Sequence, residues 1–216
     1  GFFGPILPNL VMPVARLYMR KMVGHLVLDA ESDALNKILD KAAESGEQLN
    51  LNLLGEAVLG EEEAKSRAQR TLKLIQNPRV TYVSVKASSM VAQLNHWDID
   101  GSVERLKERL RPLYQAAADR TDKVFINMDM EEYHDLHLTI RLFKELLSEP
   151  EFLTLDAGIV LQAYLPDTFD ALKDVADFAK ERVAKGGGKV KVRIVKGANL
   201  SMETVQGEVH DWPLAT

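Results

Sequence analysis

Short apolar runs alternate with longer segments of helical pattern through most of this 216-residue sequence. Four of the runs end in a polar residue, and those residues follow one another at intervals of 43, 33 and 31. Each interval has room for one strand and one crossover helix, the connection that parallel strands need. The sequence therefore predicts an α/β fold built around a parallel sheet, with its polar strand ends gathered at one edge.

Hydrophobic periodicity predicts where these elements lie. Strands are expected over residues 48–55, 81–88, 124–130, 158–165 and 189–197. Helices are expected over residues 13–27, 29–46, 61–76, 100–118, 134–147 and 169–184, with another beginning near Ser201. No linker interrupts the strand–helix series, so residues 1–46 are predicted to be a helical lead-in and residues 47–216 the N-terminal part of one barrel domain.

Two parallel-sheet architectures fit this order, an open doubly wound sheet and a closed (β/α)₈ barrel. A dinucleotide-binding doubly wound sheet carries G-x-G-x-x-G after its first strand, whereas this chain has Leu54-Gly-Glu-Ala-Val-Leu-Gly60 there. Polar residues at the ends of several strands are typical of a barrel. Five predicted strands are three short of closure, so the chain is either part of a barrel or not a barrel.

Composition restricts the function classes. Hydrophobic residues make up 46% and charged residues 27%, the net charge is −5, and cysteine is absent. A general affinity for nucleic acid is not expected, disulfides and thiolate sites are excluded, and a cytoplasmic location is favoured. The apolar N-terminal segment carries Arg16, Arg20 and Lys21 after its first apolar residues, which favours a packing helix over a peripheral membrane contact.

Alternation along the strands places Lys86, Asp129, Gln162 and Arg193 on one face. The opposite face is apolar and suits contact with the helices; its residues are Val83, Val85, Ile126, Met128, Ile159, Leu161, Val192 and Ile194. A cation, a carboxylate, an amide and a guanidinium could together stabilise charge on a bound electron-rich ring. The alternative is a set of solvated strand ends, for example with Lys86 paired to Asp129.

Other motifs are weaker. Gly186-Gly-Gly188 precedes a strand rather than opening a helix, so a turn is favoured over a phosphate loop. His134 and His137 lie three residues apart on a predicted helix, but no further ligands stand at suitable spacing, and no metal site is predicted. Lys86 could also serve as the Schiff-base amine of a lyase or aldolase.

Several of these segments together resemble the proline dehydrogenase family, in particular the proline dehydrogenase domain of the bifunctional proline utilization A enzymes of bacteria. The similarity runs from about residue 30 to the C-terminus. It is carried by Tyr82-Val-Ser-Val-Lys86, Ile126-Asn-Met-Asp-Met-Glu131, Gly158-Ile-Val-Leu-Gln-Ala-Tyr164 and Arg193-Ile-Val-Lys-Gly-Ala-Asn199, with Asn52-Leu-Leu-Gly-Glu-Ala57 resembling the first strand.

The resemblance implies a (β/α)₈ barrel that holds FAD at the carboxyl ends of its strands. It implies oxidation of L-proline to Δ1-pyrroline-5-carboxylate, hydride transfer to flavin N5, and a quinone as electron acceptor. Membrane contact and homo-oligomerisation of the parent enzyme stay open. Lys86, Asp129 and Arg193 match catalytic positions. The matching flavin-contacting positions are Asp129, Val160, Gln162, Arg193, Val195, Lys196, Gly197 and Ala198.

Two departures from the family pattern are visible. The family commonly has an aromatic pair after its Gly-Ala, where this chain has Asn199-Leu200. The family's last strands and the late helix whose arginine pair clamps the proline carboxylate do not occur before Thr216. The chain is therefore expected to be an inactive fragment, with open sheet edges that favour association. A non-catalytic fragment that binds no cofactor is the remaining alternative.

Overall fold

The structure is a computed structural model that describes residues 8–24, 27, 33–53, 58–197 and 199–213. The chain divides into two compact units, residues 1–47 and residues 48–216. No helix among the described residues is both long enough and apolar enough to cross a membrane.

The first unit contains two helices, α1 over Pro8–Val23 and α2 over Asp33–Glu44. Helix α1 begins five residues before the predicted helix, because Pro8 suits a first helical position that needs no N–H donor. The helix continues through Pro13, which lacks the N–H of one intrahelical bond. Gly46 follows α2 with a φ of +75° and ends that helix as the sequence predicted.

The second unit is a five-stranded parallel sheet with helices between its strands. The strands are β1 Leu51–Asn52, β2 Tyr82–Lys86, β3 Phe125–Asp129, β4 Ala157–Gln162 and β5 Val190–Val195. The helices are α3 Glu61–Gln76, α4 Ile99–Asp119, α5 Leu136–Ser148, α6 Thr168–Ala184 and α7 Leu200–His210. Short 3₁₀ turns occupy Ala87–Ser89, Tyr133–Asp135 and Pro150–Phe152.

Strand order distinguishes the two architectures that the sequence left open. The sheet keeps the sequence order β1-β2-β3-β4-β5, whereas a doubly wound sheet reverses its order at the ligand crevice. Helices α3, α4, α5 and α6 also contact one another in that order. Sequential parallel strands with a consecutive helix layer are the arrangement of a (β/α)₈ barrel, and the described strands form part of such a barrel.

The core lies between the sheet and the helices. Six of the eight residues predicted to face the helices are at most 2% exposed: Val83, Val85, Ile126, Met128, Ile159 and Leu161. Val192 is half-buried and Ile194 is 52% exposed, so the prediction is wrong for Ile194. Strand β5 is the sheet edge among the described residues, and no described helix covers that side chain.

Strand β1 is shorter than predicted. It spans two residues, but Leu49, Leu51 and Leu53 are half-buried while Asn50 and Asn52 are exposed, as the alternation indicated. Leu54, Gly55, Glu56 and Ala57 lie outside the described residues.

Two arginines bind the connections at the amino-terminal edge of the sheet. The Arg182 side chain is 3% exposed and donates to the carbonyl oxygens of Leu147, Phe152, Leu155 and Gly188, the last three at 2.7, 2.8 and 3.1 Å. These carbonyls end α5 or precede β4 and β5, so one guanidinium holds three segments together. Arg120 likewise donates to four carbonyl oxygens in the last turn of α3 and in the segment after it. They are those of Ile75, Asn77, Pro78 and Val80.

Candidate active site at the carboxyl ends of the strands

Strand register brings the predicted site residues to one level of the sheet. Lys86 of β2 pairs with Asp129 of β3, and Val160 of β4 pairs with Arg193 of β5. Met128 pairs with Ile159, so Asp129 and Val160, one residue further along, also stand side by side. A lysine, an aspartate, a valine and an arginine therefore form one row across four strands, at the edge where barrel enzymes place their sites.

Asp129 is the centre of a hydrogen-bond network at this level. Its Oδ1 accepts from Asn127 Nδ2 at 2.6 Å, Arg193 Nη2 at 2.9 Å and Ser84 Oγ at 3.4 Å. Its Oδ2 accepts from Asn52 Nδ2 at 3.2 Å. Donors from β1, β2, β3 and β5 thus converge on one carboxylate and fix its orientation.

Burial and charge act on Asp129 in opposite directions. The side chain is 11% exposed, and this burial raises the pKa of Asp129 above its usual value. The guanidinium of Arg193 and the ammonium of Lys86 oppose the rise because they stabilise the carboxylate. Asp129 therefore depends on Arg193 for its charge balance, and the two residues act as a pair.

Lys86 is next to Asp129 in the strand register, but its side chain forms an ion pair with Glu131 instead. Its Nζ lies 2.7 Å from Glu131 Oε1, and the lysine side chain is 15% exposed. Glu131 follows Asp129 by two residues and belongs to the segment after β3. The row therefore carries two ion pairs side by side, Lys86 with Glu131 and Arg193 with Asp129.

Gln162 ends β4 and is 1% exposed. Its Nε2 donates to the backbone carbonyl of Glu131 and lies 3.8 Å from Met130 Sδ. The backbone carbonyl of Gln162 accepts from Thr168 Oγ1 at 2.5 Å. The amide thus ties the segment after β3 to the end of β4, which positions the Glu131 backbone next to Lys86.

An open cleft of about 260 Å³ lies over this row. It is lined by Asp129, Met130, Glu131, Val160, Gln162, Arg193, Val195, Lys196 and Gly197. Seven of the nine sequence-predicted site residues are among them. Lys86 lies beside the cleft through its ion pair with Glu131, and Ala198 lies outside the described residues.

Gly197 shapes one wall of the cleft. Pairing of β4 with β5 continues beyond the strands, where Tyr164 N donates to Lys196 O at 3.2 Å. Gly197 then adopts a φ of +131°, and a Cβ there would lie 1.7 Å from Tyr164 Cδ1. Only glycine lets the chain turn this closely against the ring.

Arg193 Nε is a buried polar atom without a hydrogen-bond partner among the described residues. Unpaired buried donors and acceptors are costly in a native protein. Arg193 lines the cleft, so a ligand that enters it can satisfy this donor.

Sequence reasoning missed five contributors to the network: Asn50, Asn52, Ser84, Asn127 and Glu131. Their signal was the strand alternation itself, because Asn50 and Asn52 share a face of β1, and Ser84 stands two residues before Lys86. Asn50 Nδ2 donates to Ser84 Oγ at 2.9 Å and supports it from the first strand.

Gly186 adopts a φ of +79° and Gly187 N donates to Arg182 O at 2.9 Å, as expected for a turn that ends a helix.

The sequential strands, the helix layer and the polar row at the carboxyl edge define a domain of the barrel-enzyme class. The sequence profile of the proline dehydrogenase family matches residues 34–216, and the chain belongs to that family. Members of the family are generally flavin-dependent oxidoreductases.

The relatives that match this chain are much longer proteins. The bifunctional protein PutA of Klebsiella aerogenes is 28% identical over 183 residues, a match covering 78% of this chain and 13% of the relative. The structure of proline utilization A from Corynebacterium freiburgense is 62% identical, with a TM-score of 0.87, and the match covers 97% of this chain and 22% of that one. The structure from Bdellovibrio bacteriovorus is 33% identical, with a TM-score of 0.73, covering 83% of this chain and 20% of that one. The chain thus spans a small part of its relatives' length.

Replacing Gly197 by alanine tests the cleft wall. The new Cβ meets the Tyr164 ring while the backbone keeps a φ that L-residues rarely adopt, so we expect about 1–3 kcal/mol of lost stability and reduced flavin content. Gly186→Ala is the matched control, because its φ is also positive but nothing lies within 4 Å of its Cβ. Thermal unfolding and flavin content of both variants in the longer enzyme decide the matter. Equal behaviour of the two would contradict the close approach to Tyr164.

Proposed function

We propose that this chain supplies five strands of a (β/α)₈ barrel and the central part of a flavin site that oxidises L-proline to Δ1-pyrroline-5-carboxylate, with electrons passing on to a quinone. The observation that carries the proposal is the row formed by Lys86, Asp129, Val160 and Arg193 beneath a cleft at the carboxyl ends of the strands. Family membership supports the same activity.

The residues around the cleft fit part of an FAD molecule. The cleft volume of about 260 Å³ lies just below the roughly 300–1,000 Å³ of drug-sized ligand sites, so it suits a ring system rather than a whole dinucleotide. Arg193 Nε is buried without a partner there, and the edge of an isoalloxazine ring carries acceptors for such a donor. The FAD, when bound, supplies the acceptor for the hydride that leaves the substrate.

Each predicted residue then has a role that its contacts support. Arg193 would donate to the flavin from beside Asp129, which holds the guanidinium at 2.9 Å. Val160 would form the apolar floor between Asp129 and Arg193. The backbone of Val195, Lys196, Gly197 and Ala198 would border the ring, since glycine lets this segment approach closely.

Lys86 and Glu131 would act at the substrate end of the row. Oxidation of proline removes a hydride from the ring carbon and a proton from the ring nitrogen, so the site must hold a charged amino acid still while its charge changes. Lys86 Nζ, fixed at 2.7 Å from Glu131, offers a cation that is already oriented. Preorganised charge of this kind is effective because it needs no rearrangement during the reaction.

A Schiff-base lyase using Lys86 has less support. Such a lysine must be free to attack a carbonyl carbon, whereas Lys86 Nζ is held 2.7 Å from Glu131 Oε1. Arg193, the residue of the row that lies on β5, has no part in that chemistry, and neither does the glycine turn after it. The flavin proposal uses all of these features.

The test uses the full-length enzyme, meaning the polypeptide that carries this chain together with the rest of the barrel. We expect it to purify with bound flavin, and we expect anaerobic L-proline to bleach the flavin absorbance. D-proline at the same concentration is the matched control and should leave the spectrum nearly unchanged, because a site with fixed charges positions only one enantiomer for hydride transfer. A colourless enzyme, or covalent trapping of a carbonyl substrate on Lys86 by borohydride, would sink the proposal.

A further inference from the structure

Two segments beyond the carboxyl ends of β2 and β3 meet at a cluster of metal-binding side chains. His96 precedes α4, and His134 and Asp135 lie in the turn before α5. One ligand atom from each of the three lies within 4.8 Å of the others. His96 Nε2 is 2.6 Å and His134 Nε2 is 3.7 Å from the same carboxylate oxygen, Asp135 Oδ1.

A second carboxylate stands beside the cluster. Glu132 Oε2 lies 2.9 Å from His134 Nε2 but is not among the ligand atoms that lie within 4.8 Å of one another. The rings of His96 and His134 meet edge to face with centroids 4.4 Å apart. The cluster therefore offers two imidazole nitrogens and one carboxylate oxygen around one small volume.

We propose that His96, His134 and Asp135 form a binding site for one divalent transition-metal ion, with Zn²⁺ the ion that the ligand set fits. Zn²⁺ takes four ligands at about 2.0–2.2 Å in a tetrahedron, which separates ligand atoms by about 3.3 Å, and three protein ligands with one water complete such a site. The distances of 2.6 and 3.7 Å bracket that separation. Imidazole with carboxylate selects such an ion over Mg²⁺ or Ca²⁺, which take oxygen ligands.

Both ligand-bearing segments are held in place by contacts outside the cluster. Tyr133, between Glu132 and His134, donates its backbone N–H to Glu203 at 2.8 Å and its hydroxyl to Asp167 at 2.6 Å. Asn95, which precedes His96, accepts from and donates to Ser102 Oγ through its backbone at 3.0 and 3.1 Å. A metal site gains affinity when its ligands are preorganised in this way.

The ion would join two connections next to the cleft. His134 lies three residues after Glu131, whose carboxylate holds Lys86 and whose carbonyl accepts from Gln162. A metal bound to His134 and Asp135 would fix that segment and would take no part in electron transfer. The proposal is independent of the flavin chemistry, so either can fail without the other.

The experiment uses the full-length enzyme purified without a histidine tag and freed of metal by chelation. We expect isothermal titration to give one Zn²⁺ site that depends on the cluster, and Co²⁺ to give visible absorption bands of a tetrahedral site. His134→Gln and His96→Gln should each weaken Zn²⁺ binding at least about tenfold, the smaller of the losses seen even for residues that only support a ligand. His137→Gln is the matched control, since that exposed histidine lies three residues from His134 and outside the cluster.

Thermal unfolding with and without Zn²⁺ gives a second measurement. We expect Zn²⁺ to raise the melting temperature of the wild type and of His137→Gln but not of His134→Gln, because an ion bound only by the folded state stabilises it. His134 is exposed, so its replacement should leave the metal-free fold intact. Equal Zn²⁺ affinity in the wild type and in a His96→Gln, His134→Gln double variant would overturn the proposal. So would the absence of any bound Zn²⁺, which would leave a hydrogen-bonded histidine–carboxylate cluster.

Discussion

Arg193→Met is expected to slow flavin reduction by L-proline at least about a hundredfold in the full-length enzyme, the usual loss when one preorganised donor is removed from a reacting centre. Methionine keeps much of the side-chain length but removes the donors, including the Nη2 that lies 2.9 Å from Asp129. Removal also leaves the Asp129 carboxylate, 11% exposed, without its nearest cation. Anaerobic stopped-flow reduction of the flavin measures the rate directly.

Two comparison variants separate the role of Arg193 from a general loss of charge. Lys191→Met removes a cation from the same face of β5, two residues earlier, where Lys191 lies over the rings of Tyr82 and Phe125. We expect it to reduce at nearly the wild-type rate. Arg193→Lys should recover only part of the activity, because an ammonium cannot reproduce the fork of a guanidinium. Unchanged reduction in Arg193→Met would remove Arg193 from the flavin site.

Arg182→Met is expected to destabilise the protein by about 3–5 kcal/mol, because four carbonyl groups each lose a hydrogen bond at once. The four carbonyls belong to Leu147, Phe152, Leu155 and Gly188, and the bonds to the first three are buried. Arg182 is only 3% exposed, so water does not readily replace the lost donors. Burial also lowers the pKa of Arg182, which indicates how far the guanidinium is withdrawn from solvent.

Chemical denaturation measures this loss, and Lys180→Met is its control. Lys180 lies on the same helix and pairs only with Asp177, with both side chains more than two-thirds exposed. A pair of this kind contributes about 0–1 kcal/mol, so its removal should barely move the unfolding midpoint. If Arg182→Met unfolds at the same denaturant concentration as Lys180→Met, then Arg182 does not hold the segments around α5, β4 and β5 together.

Strand alternation was sufficient to predict the row itself. Lys86, Asp129, Gln162 and Arg193 could be placed on one face because side chains alternate along any strand, and six of the eight apolar residues on the other face are at most 2% exposed. The partners within the row could not be predicted, since they depend on the register between strands. Lys86 therefore pairs with Glu131 rather than with Asp129.

Contacts between distant segments could not be predicted from the sequence either. His96 and His134 lie on separate connections, and the spacing of His134 and His137 along the chain gave no indication that His96 stands beside His134. Ile194 followed the apolar pattern of β5, but periodicity gives no information on whether a helix covers a strand. In both cases the missing quantity was the three-dimensional neighbour, which local pattern does not contain.

The arginines of this chain have opposite uses at the two ends of the same sheet. The described hydrogen bonds of Arg182 and Arg120 all go to the protein's own backbone or to a neighbouring side chain. Arg193, in contrast, has a nitrogen beside the cleft without a hydrogen-bond partner among the described residues. Random variants of this segment should therefore sort into two groups with little overlap. Those at the amino-terminal edge would lower the yield of folded protein but leave each surviving molecule fully active. Variants at the carboxyl edge would accumulate normally as folded protein but would not turn over substrate.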